Sequence, residues 1–297
     1  MAQKNSFLDP AVISAIRGMP LRAKTVVEGF LSGLHRSTFK GYSVEFAEYR
    51  QYMPGDDPKT IDWKLLARTD RYYVKEFEQE TNLNCYIFLD TSGSMDYGST
   101  GYTKLEYAAT LAASLAHLAV RQRDMVGFAA FDTRLRAYMP AKSTWGHLNA
   151  MLTVLERLPA RGPTDFQAPL DHLAEIIRRR GIVIVISDFL EDPEPILRAM
   201  RHLRFRRHDI LVFQVLDPAE LEFPFEYLST FKDMETGEQV MMAPMEFRKK
   251  YLNRLNSFLK DLRTDLDKER IDYAMMSTAT PLDHALFTFL AERKLRV

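Results

Sequence analysis

Cysteine is nearly absent from this sequence, and the single one, Cys85, cannot form a disulfide within the chain. A disulfide framework is therefore excluded, and such sparing use fits a reducing compartment. An excess of either charge is lacking too: 40 Lys and Arg balance 40 Asp and Glu, a formal net charge of zero at pH 7. No global field then draws the protein to nucleic acid or to an anionic membrane. Long hydrophobic runs are also missing. The longest, such as TLAASLAHLAV, fall well short of the roughly 20 apolar residues that span a bilayer. The first residues, MAQKNSFLDPAVISAIRGMP, show no basic start followed by an apolar core, so no signal peptide is expected. These absences predict a cytoplasmic protein with no membrane insertion and no nucleic-acid partner.

What is present is ordinary globular composition: 297 residues, 46% hydrophobic and 27% charged, enough for one large domain or two small ones. Up to about Arg36 the pattern predicts two short helices, the first with Asp9 as N-cap and Pro10 at its first position. A polar, aromatic-rich segment follows, with PGDDP as a turn and YYVKEFE as an alternating strand. From Asn84 onward strands and helices alternate regularly. CYIFLD, DMVGFAAFD, LRAYMP, IVIVISD, DILVFQVLD and IDYAMMST read as strands. KLEYAATLAASLAHLAVRQ, WGHLNAMLTVLERL, APLDHLAEIIRRR, PEPILRAMRHLRFR, MEFRKKYLNRLNSFLKDLRTDLDKE and PLDHALFTFLAERK read as helices, with Gly181 as the residue after the third. FKDMETGEQVMM reads as a hairpin turning at Thr236-Gly237, and the methionines of VMMAPM are expected in core or hairpin packing by default, with an adaptable surface as the alternative. The expected division is 1–80 as a helical and irregular segment and 81–297 as the main domain.

Continuous apolar strands alternating with helices indicate an α/β fold, with a doubly wound, mainly parallel central sheet covered on both faces. In such sheets ligands bind beyond the carboxyl ends of strands, where the strand order reverses. Asp90 and Asp188 each close an apolar strand, which places two carboxylates on that rim.

The first is followed at once by hydroxyls, in LDTSGSM. An aspartyl nucleophile would want a second carboxylate two residues on as general acid, and Ser92 stands there instead. Neither Ser92 nor Ser94 lies in a nucleophile elbow, and no GxxxxGK[ST] loop exists for a nucleotide. Oxygen ligands for a hard cation fit better, since Mg²⁺ prefers octahedral oxygen coordination with few carboxylates. Asp90, Ser92 and Ser94 can turn toward one point, with Thr164 of RGPTDF and Asp188 of VISDF supplying the rest.

This arrangement resembles the metal-ion-dependent adhesion site of von Willebrand factor A domains, with Asp90, Ser92, Ser94, Thr164 and Asp188 at the motif positions. It departs in having Pro163 before the threonine and Phe189 after the second aspartate, where glycine is common. The run VEFAEYRQYMPGDDPKTIDWKLLARTDRYYVKEFEQE resembles a second signature, that of the domain-of-unknown-function-58 family. These are von Willebrand factor A-like proteins associated with MoxR-type AAA+ ATPases.

The resemblance implies a non-enzymatic binding module in which Mg²⁺ or Mn²⁺ captures an acidic side chain of a protein partner. It further implies an adaptor or co-chaperone working with a MoxR-type ATPase on client proteins. The alternative is a metal-dependent phosphoesterase at the same rim, with Asp165 or Asp188 as base. Arg50, Asp56, Asp57, Asp62, Trp63 and Arg68 are expected either to brace the sheet by ion pairs or to form a partner-binding surface.

Overall fold

The computed structural model describes residues 10–36, 49–51, 66, 72–75, 83–283 and 286. Helix α1 (Pro10–Ser14) leads into α2 (Met19–Arg36). On α2 the residues Ala23, Val26, Val27 and Phe30 are buried at three- and four-residue spacing, which aligns them on one face of a helix. Strands β1 (Tyr49–Gln51) and β2 (Tyr73–Lys75) pair antiparallel as a separate ribbon.

The central sheet has six strands: β3 (Asn84–Asp90), β4 (Met125–Phe131), β5 (Leu135–Lys142), β6 (Ile182–Ser187), β7 (Asp209–Leu216) and β10 (Asp272–Ser277). Their spatial order is β10-β7-β6-β3-β4-β5, and every neighbouring pair is parallel except β4–β5. The first and fourth strands of the sheet in chain order, β3 and β6, are therefore neighbours. The chain winds outward from them in both directions, which makes the gap beyond their carboxyl ends the switch point.

All seven residues of β3 are buried because the sheet is covered on both faces. Cys85, Ile87 and Leu89 join the core formed with α2, α3 (Lys104–Arg121) and α4 (Trp145–Leu155). Tyr86 and Phe88 face the opposite way, into the core with α5 (Gln167–Ile176), α6 (Pro193–Phe205) and α8 (Pro244–Lys268). The period-two alternation of a strand thus feeds two cores at once. Between β7 and α8 lie α7 (Pro218–Glu222) and the hairpin of β8 (Ser229–Lys232) and β9 (Gln239–Met242).

The elements predicted from periodicity are present from β3 to β10, with corrections at two places. Helix α5 stops at Ile176, so Gly181 is not the residue that ends it. Gly181 instead lies against β3, where a Cβ would overlap the Asn84 carbonyl oxygen, so the close approach of two backbones explains it. Two of the three methionines of VMMAPM lie on the surface, Met241 68% exposed and Met245 62%, while Met242 is half-buried. The first helix, read from the run DPAVISAIRGM, ends at Ser14. No described helix is long and apolar enough to cross a membrane.

Candidate metal centre

Strand β3 delivers Asp90 to the switch point with no exposed surface, and the chain then turns into a single 3-10 turn, Gly93–Asp96. The turn is written into the sequence. Asp90 Oδ1 accepts from the Ser92 amide at 2.8 Å, the local bond by which aspartate replaces a backbone partner. That bend brings the Ser92 and Ser94 hydroxyls to 3.0 Å from each other. The other Asp90 oxygen accepts from the Ser187 hydroxyl, at the end of neighbouring β6, at 2.6 Å. Burial, and next the Asp188 carboxylate, push the pKa of Asp90 up to about 7.

The threonine loop is tied to the serine loop by backbone bonds. Gly93 N–H donates to the Gly162 carbonyl at 2.7 Å, and Arg161 N–H to the Thr91 carbonyl at 2.9 Å. Gly162, at φ 76°, takes the left-handed conformation that this meeting of loops requires. Below them Phe166 stacks on Phe189, with ring centroids 5.0 Å apart. Phe189 holds φ 52°, the region where glycine is favoured. This accounts for the departure after Asp188. A fully buried aromatic ring offsets the backbone strain that glycine would have avoided.

Asp188 is not a free carboxylate. Its Oδ2 accepts from Lys104 Nζ at 2.7 Å, and the same ammonium donates to Glu220 Oε1 at 2.6 Å. Lys104 is fully buried. Burial alone would lower its pKa, but the two carboxylates outweigh burial and raise it, so the ammonium stays charged. It is placed by the start of α3, where Thr103 and Glu106 form a reciprocal capping box. Burial raises the Glu220 pKa, against the pull of Lys104.

A further carboxylate comes from the hairpin. Glu235 Oε1 accepts from the Thr164 hydroxyl at 2.9 Å, and its Oε2 from the Thr164 amide at 3.2 Å. Glu191 lies beside them. Burial and then the charges of Glu235, Asp165 and Asp188 push its pKa up to about 7.

The structure thus gathers Asp90, Ser92, Ser94 and Asp188 at one rim, and anchors the Thr164 loop to the serine loop. Sequence reasoning did not find Lys104, Ser187, Glu191, Glu220 or Glu235. Only the T-x-x-E pattern of Thr103 to Glu106 could have fixed where Lys104 begins its helix. Arg50 pairs through its backbone with Val74. Asp56, Asp57, Asp62, Trp63 and Arg68 lie outside the described residues.

The donor set fits a hard ion better than a soft one. Among the described residues no three His, Cys, Asp or Glu side chains converge to hold an ion. The donors are two carboxylates and three hydroxyls, all oxygen, which matches Mg²⁺ or Mn²⁺.

Comparison with known proteins agrees with this picture of the fold. The family model described as "Protein of unknown function DUF58" matches residues 48–257. Uncharacterized protein Rv1480 of Mycobacterium tuberculosis is 31% identical over 234 residues, covering 77% of this chain and 73% of that one. Uncharacterized protein YeaD of Bacillus subtilis is 24% identical over 153 residues, 51% of this chain and 36% of that one. Among solved structures, the conserved hypothetical protein BatB from Bacteroides thetaiotaomicron superposes with a TM-score of 0.50 at 17% identity. That match covers 72% of this chain and 100% of the other. The likeness establishes the fold as von Willebrand factor A-like.

Proposed function

The chain belongs to the DUF58 family, and from that premise we propose that it is a protein-binding module in which a divalent ion bridges to an acidic side chain of the partner. Asp90, Ser92, Ser94, Thr164 and Asp188 would hold Mg²⁺ or Mn²⁺. The bound ion supplies Lewis acidity toward an incoming carboxylate. The chain's own residues place the oxygens, exclude water beneath them and keep Asp188 oriented through Lys104. The observation that carries this reading is the bond from Gly93 to Gly162, which locks the serine and threonine loops together at the switch point. The family resemblance supports a MoxR-type AAA+ ATPase as partner, with this chain as adaptor or co-chaperone toward client proteins.

A phosphoesterase finds less support, because both candidate bases are engaged. Asp165 accepts from the Gln167 and Ala168 amides at 2.8 and 3.3 Å, capping the start of α5. Asp188 is paired with Lys104.

The test is binding of a purified MoxR-type ATPase to immobilised wild type and Asp90→Ala, in Mg²⁺ and in EDTA. Binding that needs both Asp90 and Mg²⁺ supports the reading. Equal binding in all four conditions sinks the metal bridge.

A further inference from the structure

Glu235 is the half-buried residue of an otherwise exposed turn, and both of its carboxylate oxygens are used on Thr164. The turn is built to aim it. Asp233 accepts from the Glu235 and Thr236 amides at 2.8 and 3.0 Å, and Gly237 closes the turn at φ 78°. Beside Glu235, the Met234 carbonyl rests so closely on Gly93 that a Cβ there would overlap it. The hairpin tip therefore touches both loops of the candidate centre, through a carboxylate on one and a backbone oxygen on the other.

How the hairpin is held matters as much as where it points. Within β8, Phe231 stacks on Phe223, with centroids 5.5 Å apart, and meets Phe225 edge-on at 5.2 Å. Along its length it has little burial, with Val240 54% and Met241 68% exposed. An aromatic anchor within β8 and a carboxylate latch at the exposed turn describe a strap whose tip can lift.

We infer that Glu235 latches the candidate centre shut: its carboxylate holds the Thr164 hydroxyl and amide on the side where a partner's carboxylate would enter, and a partner docks by displacing it. The inference rests on the metal-bridged reading and adds its regulation. It also states the partner's chemistry, an Asp or Glu presented on a segment slim enough to enter where the strap tip lies. Exchange of one carboxylate for another leaves the charge at the rim unchanged, so neither state carries an uncompensated excess.

The test uses Mn²⁺ alone as the ion and acetate as the carboxylate probe, with the full chain as wild type, Glu235→Gln and Glu235→Ala. Bound Mn²⁺ is counted by electron paramagnetic resonance, and its exposure to water is read by proton relaxation. The expected result is higher relaxation per bound Mn²⁺ in both variants than in wild type. Acetate should then displace that water at about tenfold lower concentration, as when a latch closed nine-tenths of the time is removed. In metal-free protein the Thr164 amide should exchange its hydrogen faster in Glu235→Ala, a change independent of any ion. Mn²⁺ bound with identical relaxation and identical acetate curves in all three proteins overturns the latch and leaves the metal reading standing. No Mn²⁺ bound by wild type or by either variant overturns both.

Discussion

Lys104 Nζ lies 2.7 Å from Asp188 Oδ2 with both side chains buried, so one of the two aspartates of the candidate centre is ion-paired before any ion arrives. The ammonium holds Asp188 in place and also competes with a cation for its charge. Lys104→Met keeps the apolar stem and removes the charge, leaving Asp188 and Glu220 uncompensated in the interior. Loss of one partner of a buried pair costs about 3–5 kcal/mol. Urea unfolding in EDTA should show that loss, and Mg²⁺ should restore more stability to the variant than it adds to wild type. An equal Mg²⁺ effect on both proteins contradicts the competition.

Asp90→Asn tests the ion from the other side. Mg²⁺ at a hundred times its dissociation constant should stabilise wild type by about 2.7 kcal/mol. The substitution removes the like-charge contact with Asp188, while a side-chain carbonyl oxygen can still accept from the Ser92 amide. The new side chain's NH₂ group cannot also accept from the Ser187 hydroxyl, so in EDTA the relief of repulsion is set against that lost bond, and the decisive expectation is that added Mg²⁺ shifts the urea midpoint of the variant little. A full Mg²⁺ shift in Asp90→Asn excludes Asp90 as a ligand.

Gly93→Ala should release the strap without touching Glu235. The added methyl meets a backbone oxygen of Met234, which cannot swing aside as a side chain can. Hydrogen exchange in residues 233–238 should speed up severalfold, in line with local rather than global opening. Unchanged exchange there means that the hairpin tip is not seated on the serine loop.

His208 gives the stability an acid dependence. The ring is buried edge-on against Tyr86, centroids 5.9 Å apart, and burial lowers its pKa. A folded pKa below the ordinary value of about 6.5 means that the unfolded chain takes up its proton first. The stabilising contribution is then complete above about pH 6.5 and is lost as the pH falls from there through the folded pKa. Below about pH 6.5 the urea midpoint of His208→Phe should rise relative to that of wild type, a comparison in which the opposite pull of Asp90 and Glu191, with pKa values pushed up to about 7, is common to both proteins. A difference between the two midpoints that stays constant with pH would assign the acid sensitivity to other groups.

The sheet could be read from the sequence because its strands announce themselves locally. IVIVIS and the CYIFL of CYIFLD are unbroken apolar runs but for a closing serine, as strands buried on both faces must be. The serine loop was legible for a similar reason, since Asp90, Ser92 and Ser94 act within five residues of chain. The core or hairpin packing expected by default of Met241 and Met245 failed because methionine is compatible with core and surface alike, and only the hairpin's position outside the sheet decides between them. The identity of Phe189 was visible as a departure from glycine. Its compensation was not, because the stacking ring, Phe166, lies on another loop.

The sequence by itself determined the order of the elements, the rim on which Asp90 and Asp188 stand, and the oxygen chemistry of the centre. All of these follow from local pattern and residue type. Tertiary structure alone decided that Lys104 would reach Asp188 across 84 positions, and that Glu235 would reach Thr164 across 71. Those pairings depend on how the crossover connections bring distant loops to one rim, and a charged side chain carries no local mark of the partner that folding will give it.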